Sequence, residues 1–153
     1  MKSVLFICMA NICRSPTLEA TLKHLAAVRG VGDQLYVDSC GIGWVRIGQQ
    51  VDPRSFVEAK KRGIFLDHKS QQFQDCYFEA FDYLFAVDQE IVEQLKIRAP
   101  HPQHSEKIYL ATAFSRKFSN REIPDPYYMG DDGFTRVMDI VVDSCEGILQ
   151  KLF

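Results

Sequence analysis

The chain is 153 residues long, 46% hydrophobic and 25% charged, a balance that builds one ordinary core and excludes a disordered protein. Its net charge of -2 at pH 7 carries no basic excess for nucleic acid or an anionic membrane, and the longest clean apolar run, Val4 to Ala10, is too short to span a bilayer. Five cysteines is an odd number in a chain large enough to fold without staples, so free thiols in a reducing, cytoplasmic setting are expected. Lys2 ahead of that run mimics the start of a signal peptide, but Asn11 and Arg14 interrupt it and no small-residue cleavage site stands out.

Taken in chain order, short apolar runs alternate with helical periodicity, as in an α/β domain with a parallel sheet. Val4–Ile7 reads as a buried strand that stops abruptly at a polar loop. Pro16 suits the first turn of a helix, Leu18, Leu22 and Leu25 give it an apolar stripe, and Gly30 can end it. Leu35–Val37 reads as a second strand. Asp52-Pro53 signals a helix start, with the helix reaching Gly63. Tyr83–Val87 is a third strand, followed by a helix from Gln89 to Arg98 that stops before Pro100 and Pro102. Lys107–Leu110 is a short fourth strand, Ala111–Gly130 is loop-rich, and Phe134, Val137, Met138, Val141, Cys145, Ile148 and Leu152 line a last helix. The expected fold is a single three-layer domain over residues 1–153. Its four-stranded parallel sheet, in order 2-1-3-4, is flanked by helices and takes ligands at the carboxyl ends of the strands.

Residues 8–15 read Cys-Met-Ala-Asn-Ile-Cys-Arg-Ser and join the first strand to the first helix. Backbone N–H groups converge in such a loop, the helix dipole adds positive potential, and Arg14 adds a planar fork. The same field favours a thiolate at Cys8, a nucleophile aimed at phosphorus. The loop is not a nucleotide P-loop, because residues 8–15 hold no Gly and no Lys-Ser or Lys-Thr closes them. Cys8 also fits as a small buried hydrophobe. Cys8 and Cys13 as metal ligands lack a second close Cys or His pair, since His101 and His104 stand alone in a Pro-rich segment.

A thiolate that displaces a phosphate ester needs a proton for the departing oxygen. Asp125, between Pro124 and Pro126, is a candidate in a loop of limited freedom. Tyr127 and Tyr128 could wall a slot for a flat aromatic group. Taken alone, the segment also fits an Asp-Pro turn with surface tyrosines.

Cys8–Pro16 and Asp125–Tyr128 together carry a resemblance to the low-molecular-weight protein tyrosine phosphatases, over essentially the whole chain. The resemblance implies a metal-independent, cofactor-free phosphatase acting on phosphotyrosine and other aryl phosphates through a cysteinyl-phosphate. It makes Cys8 the nucleophile, Arg14 the phosphoryl ligand and Asp125 the general acid and then base. Met9, Ala10, Asn11, Ile12, Cys13 and Ser15 complete the phosphate loop. Ser15 supports the thiolate, and Asn11 holds the loop by adopting left-handed φ. By the same resemblance His68 supports Asn11, Asp88 joins the network or caps the helix that follows it, and Cys13 guards an oxidised Cys8 as a disulfide. Ala10 stands where the family usually has Gly, which is costly if that position needs positive φ.

Substrate contacts are expected from Met9, Ile12, Trp44, Tyr127 and Tyr128. Trp44 sits among Gly41, Gly43 and Gly48, which favours a loop over the core, although the family aromatic is offset by one residue here. Gly41–Gln50 holds one Arg and no acid, which predicts no particular peptide sequence. The expected partners are tyrosine-phosphorylated proteins or peptides, without nucleic acid or membrane insertion, and the chain is expected as a monomer or weak homodimer. An arsenate reductase would need a pair of shuttle cysteines, and Cys76 has no neighbour to serve. A phosphate-binding module without catalysis would need neither Cys8 nor Asp125.

Overall fold

The computed structural model describes every residue except Tyr128, and the backbone alone of Asp131. Its elements run β1 (Lys2–Cys8), α1 (Arg14–Arg29), a 3-10 turn (Gly32–Gln34), β2 (Leu35–Gly41), α2 (Pro53–Lys61), α3 (Tyr77–Ala80), β3 (Tyr83–Ala86), α4 (Gln89–Arg98), α5 (Pro102–Ser105), β4 (Ile108–Leu110) and α6 (Asp131–Leu152). The sheet is parallel throughout, in the order β2-β1-β3-β4, as the alternation of apolar runs and helices predicts.

Val4, Leu5, Phe6 and Ile7 are fully buried because β1 is central and covered on both faces. Burying each such side chain contributes about 1.5–3 kcal/mol before entropy is counted. One layer holds α1 packed on α6, with α2 also against α6, while α4 lies against β3, β4 and α5. Gly30 ends α1 at φ 83°, and Asp52 caps α2 by accepting the Arg54 N–H at 2.8 Å.

Two sequence expectations need correction. First, β2 does not stop at Val37 but continues through Asp38-Ser39-Cys40 to Gly41, in register with β1 as far as Cys8. The polar residues read as a strand end, yet Ser39 is fully buried because its hydroxyl bonds into the site described below. Second, α5 forms in the Pro-rich segment of His101 and His104, and α3 forms where no element is expected, since four residues carry too little periodicity to be seen. Among the described residues no helix is long and apolar enough to cross a membrane.

Candidate active site

The sheet order reverses beside β1, so the carboxyl end of that strand opens into a crevice. Cys8 is its last residue. The chain then turns through residues 9–13 into α1, whose cap, Cys13, makes no side-chain capping bond. Among the described residues, no protein acceptor takes the backbone N–H groups of Ala10, Ile12, Cys13 or Arg14. These donors, at a helix N-terminus, form an anion cradle.

The turn is made at Asn11, with φ 58°. Ala10 is not among the residues with positive φ, so the cost foreseen for replacing Gly there does not arise. Close approach falls instead on Gly41, where an added Cβ would lie 2.7 Å from the Met9 carbonyl oxygen. The Asn11 N–H donates to Cys8 Sγ at 3.1 Å, and Ser15 Oγ lies 2.9 Å from the same sulfur. Asn11 Nδ2 donates to Ser15 Oγ at 2.8 Å, so the Ser15 proton is left to the sulfur or to the Cys40 carbonyl at 3.3 Å.

Asn11 is held from every side. Its Nδ2 also donates to Ser39 Oγ at 3.0 Å, and its Oδ1 accepts the Gln71 N–H at 2.9 Å and faces His68 Nε2 at 2.7 Å. His68 Nδ1 lies 3.2 Å from Glu19 Oε1. Both ring nitrogens therefore face acceptor atoms. Glu19 is buried, accepts from Ser39 Oγ at 2.7 Å and pairs with Lys23 at 2.6 Å. Sequence reasoning missed Glu19, Ser39 and Ser70, whose hydroxyl donates to the Ala10 carbonyl at 2.8 Å. A usable signal existed for Glu19, which shares the helical stripe of Ser15, Leu18 and Leu22 where an acid is out of place.

Glu19, Asp38 and His68 bring ligand-type atoms within 4.8 Å of one another. Their lone pairs and protons are already engaged by Lys23, Ser39, Gln71 and Asn11, so the group reads as a closed network rather than a metal centre.

Arg14 lies 6% exposed on the other side of Cys8. Its Nη1 donates to Asp88 Oδ2 at 3.2 Å and to the Ile123 carbonyl at 3.0 Å, and its Nη2 stands 3.6 Å from Asp125 Oδ2. Asp88 also accepts the Ile91 N–H at 3.0 Å, so it caps α4 and braces Arg14 at once. The Asp125 side chain is 47% exposed and accepts the Tyr127 N–H at 3.1 Å. That bond fixes the carboxyl group at the mouth of the crevice.

Cys8, Met9, Ala10, Ile12, Cys13, Arg14, Val45, Arg46, Asp125 and Tyr127 line a pocket of about 300 Å³. Trp44 is not among them. It is 70% exposed, and Val45 and Arg46 take the wall position instead. The Gly43 N–H is tied to the Met9 carbonyl at 2.8 Å, which anchors the start of this turn against the phosphate loop. Tyr127 is gripped by two arginines, its hydroxyl accepting from Arg46 Nη2 at 2.9 Å and its carbonyl from Arg54 Nη2 at 2.8 Å. Tyr128 lies outside the described residues. The five cysteines are free. Burial first, then the Asp52 charge, push the Cys13 thiol up to about 12, so Cys13 is a neutral thiol at ordinary pH.

The chain matches the family model described as low molecular weight phosphotyrosine protein phosphatase over residues 3–153. It is 33% identical to a low molecular weight protein-tyrosine-phosphatase of Streptomyces coelicolor, over 95% of this chain and 90% of that one. A protein tyrosine phosphatase crystal structure from Entamoeba histolytica superposes with a TM-score of 0.95 at 38% identity, covering 99% of this chain and 97% of its own. A Drosophila protein described as an arginine phosphatase superposes at 0.90 with 34% identity, covering 99% and 98%. With a matching family model along almost its whole length, the chain belongs to the low molecular weight protein tyrosine phosphatases.

Proposed function

We propose that residues 1–153 act as one phosphatase domain that hydrolyses phosphotyrosine in proteins and peptides through a cysteinyl-phosphate. The observation that carries this is the meeting of Cys8, Arg14 and Asp125 in one pocket. The Cys8 thiolate attacks phosphorus while the phosphoryl oxygens rest on the loop N–H groups and the Arg14 fork. The P–O bond to the tyrosine breaks, and Asp125 gives its proton to the departing phenolate. The resulting Asp125 carboxylate then takes a proton from water as that water attacks the phosphocysteine, which returns the thiolate and releases phosphate. Asn11, Ser15, His68 and Asp88 are positioning residues. Met9, Ile12, Val45 and Tyr127 form largely apolar walls that suit a flat ring.

The resemblance to an arginine phosphatase makes phosphoarginine the second substrate to weigh. Asp125 is the one acid among the described residues that line the pocket, and it stands 3.6 Å from Arg14. That arrangement offers a guanidinium little and favours phosphotyrosine. A reducing, cytoplasmic setting and a monomeric or weakly dimeric chain suit this chemistry. Cys13 is suited to close a disulfide on an oxidised Cys8.

Hydrolysis of p-nitrophenyl phosphate and phosphotyrosine peptides in the presence of a chelator tests the reading, with acid-quenched mass spectrometry of the Cys8 peptide. Turnover with a phosphoryl group trapped on Cys8, lost in Cys8→Ser, is expected. Undiminished turnover in Cys8→Ser overturns it, and preferential hydrolysis of phosphoarginine selects the second substrate.

A further inference from the structure

Three arginines stand at the pocket or its rim, and two are matched by acids. Arg14 lies against Asp88 and Asp125, and Arg54 is paired with Asp52 at 3.0 Å. Arg46 lines the pocket and has no carboxylate partner among the described residues. Of the five N–H donors of a guanidinium, one goes to the Tyr127 hydroxyl, and the group lies 5.1 Å from the centre of the Tyr127 ring.

Arg46 is also held in place. Its loop is tied at one end by Gly43 N–H to the Met9 carbonyl at 2.8 Å and at the other by Gly48 N–H to the Ser70 carbonyl at 2.7 Å. Arg54 stacks on the far part of the same wall, 5.3 Å from the Tyr127 ring centre and 4.5 Å from that of Phe134. A fixed, half-buried cation at the mouth of a phosphate pocket loses little entropy on meeting a carboxylate. The neighbours of Arg46 are apolar and turned outward, Trp44 at 70%, Val45 at 71% and Ile47 at 51% exposed. They give an arriving polypeptide apolar area beside the charge.

We propose that Arg46 is a specificity-determining residue that takes the carboxylate of a Glu or Asp adjacent to phosphotyrosine, so that acidic phosphopeptides are the favoured substrate class. This rests on the phosphotyrosine reading above. The attraction adds to that of the loop, because the acid lies along the polypeptide and not in the phosphate cradle.

The test uses the intact chain and three phosphotyrosine peptides that differ only in the residues on either side of phosphotyrosine, all Glu, all Gln or all Lys. In the unmodified protein kcat/KM is expected to fall from Glu to Gln to Lys, with about fivefold between the ends at low salt, mainly in KM. The spread should narrow as salt shortens the screening length to about 10 Å and below. Arg46→Gln should bring the Glu-to-Lys ratio close to one, Arg46→Lys should keep part of it, and Arg46→Glu should invert it. The ratio is taken within each variant, so a general loss of activity cancels. Equal rates on the three peptides in the unmodified protein, or a Glu preference unchanged in Arg46→Gln, overturn the proposal and leave the phosphatase reading standing. Failure to hydrolyse any of the three peptides, or p-nitrophenyl phosphate, strikes that reading instead.

Discussion

His68 Nε2 lies 2.7 Å from Asn11 Oδ1, across 57 residues of chain, and this contact braces the one loop residue with left-handed φ. Asn11 in turn directs its own N–H at the Cys8 sulfur. The brace continues to Glu19, so a side chain one turn along α1 from Ser15 is linked to the geometry around Cys8.

His68→Ala removes one of two partners from a buried amide oxygen that the Gln71 N–H still satisfies, which costs about 0.5–1.5 kcal/mol. Urea denaturation should show a loss of that size. The kcat should fall about tenfold or more with KM little changed, since the loop still binds phosphate but presents the sulfur less well. Unchanged kcat in a folded His68→Ala protein would show that the brace has no part in catalysis.

Asp125→Asn keeps the shape of the mouth and removes the proton. The expected loss in kcat is about 10²–10⁴ for phosphotyrosine. It should be much smaller for an aryl phosphate whose phenolate leaves readily without help. Steady-state kinetics of both proteins on the two substrates check this, and an equal loss on both would contradict the proton-donor role.

Cys13 carries a thiol pushed up to about 12, so at pH 8 only about one in ten thousand of its sulfurs is charged. Cys76 is exposed. Iodoacetamide should therefore modify Cys76 well before Cys13, read by peptide mass spectrometry over time. Fast labelling of Cys13 would mean that the loop opens.

Asp52 is held below the ordinary aspartate value of 3.8, since burial works to raise it but the hydrogen bonds and charge of Arg54 outweigh that. A carboxylate depressed in the folded state stabilises the fold above its unfolded value, and that stabilisation is lost as pH falls through the folded one. Asp52→Ala should cost about 0.5–2 kcal/mol at pH 7, the range for losing a helix N-cap. The gap from the unmodified protein should narrow below pH 3.8. Denaturant midpoints across the acid range measure it, and a gap that widens on acidification would contradict the sign.

Local chemistry was legible without coordinates. Alternating apolar runs marked the four strands, and Cys8–Ser15 marked an anion loop because its cradle is built from consecutive residues. Asp125 was legible by motif, because two flanking prolines make a local signal. Val45 and Arg46, which line the pocket beside the Trp44 named from sequence, were not, since one residue of turn phase decides which side chains reach a pocket. Glu19, Ser39 and Ser70 were hidden because their partners lie far away in the chain and polar side chains read as surface until their burial is seen.

Composition alone excluded a disulfide framework, a membrane span and a basic nucleic-acid surface, and the order of elements determined the sheet. Those properties depend on residues near one another in sequence. Which cation at the pocket mouth lacks an acid among the described residues was decided only by the tertiary structure. Arg14, Arg46 and Arg54 are equally charged in a sequence, and only packing brings acids to two of them and leaves Arg46 lining the pocket with no carboxylate among the described residues.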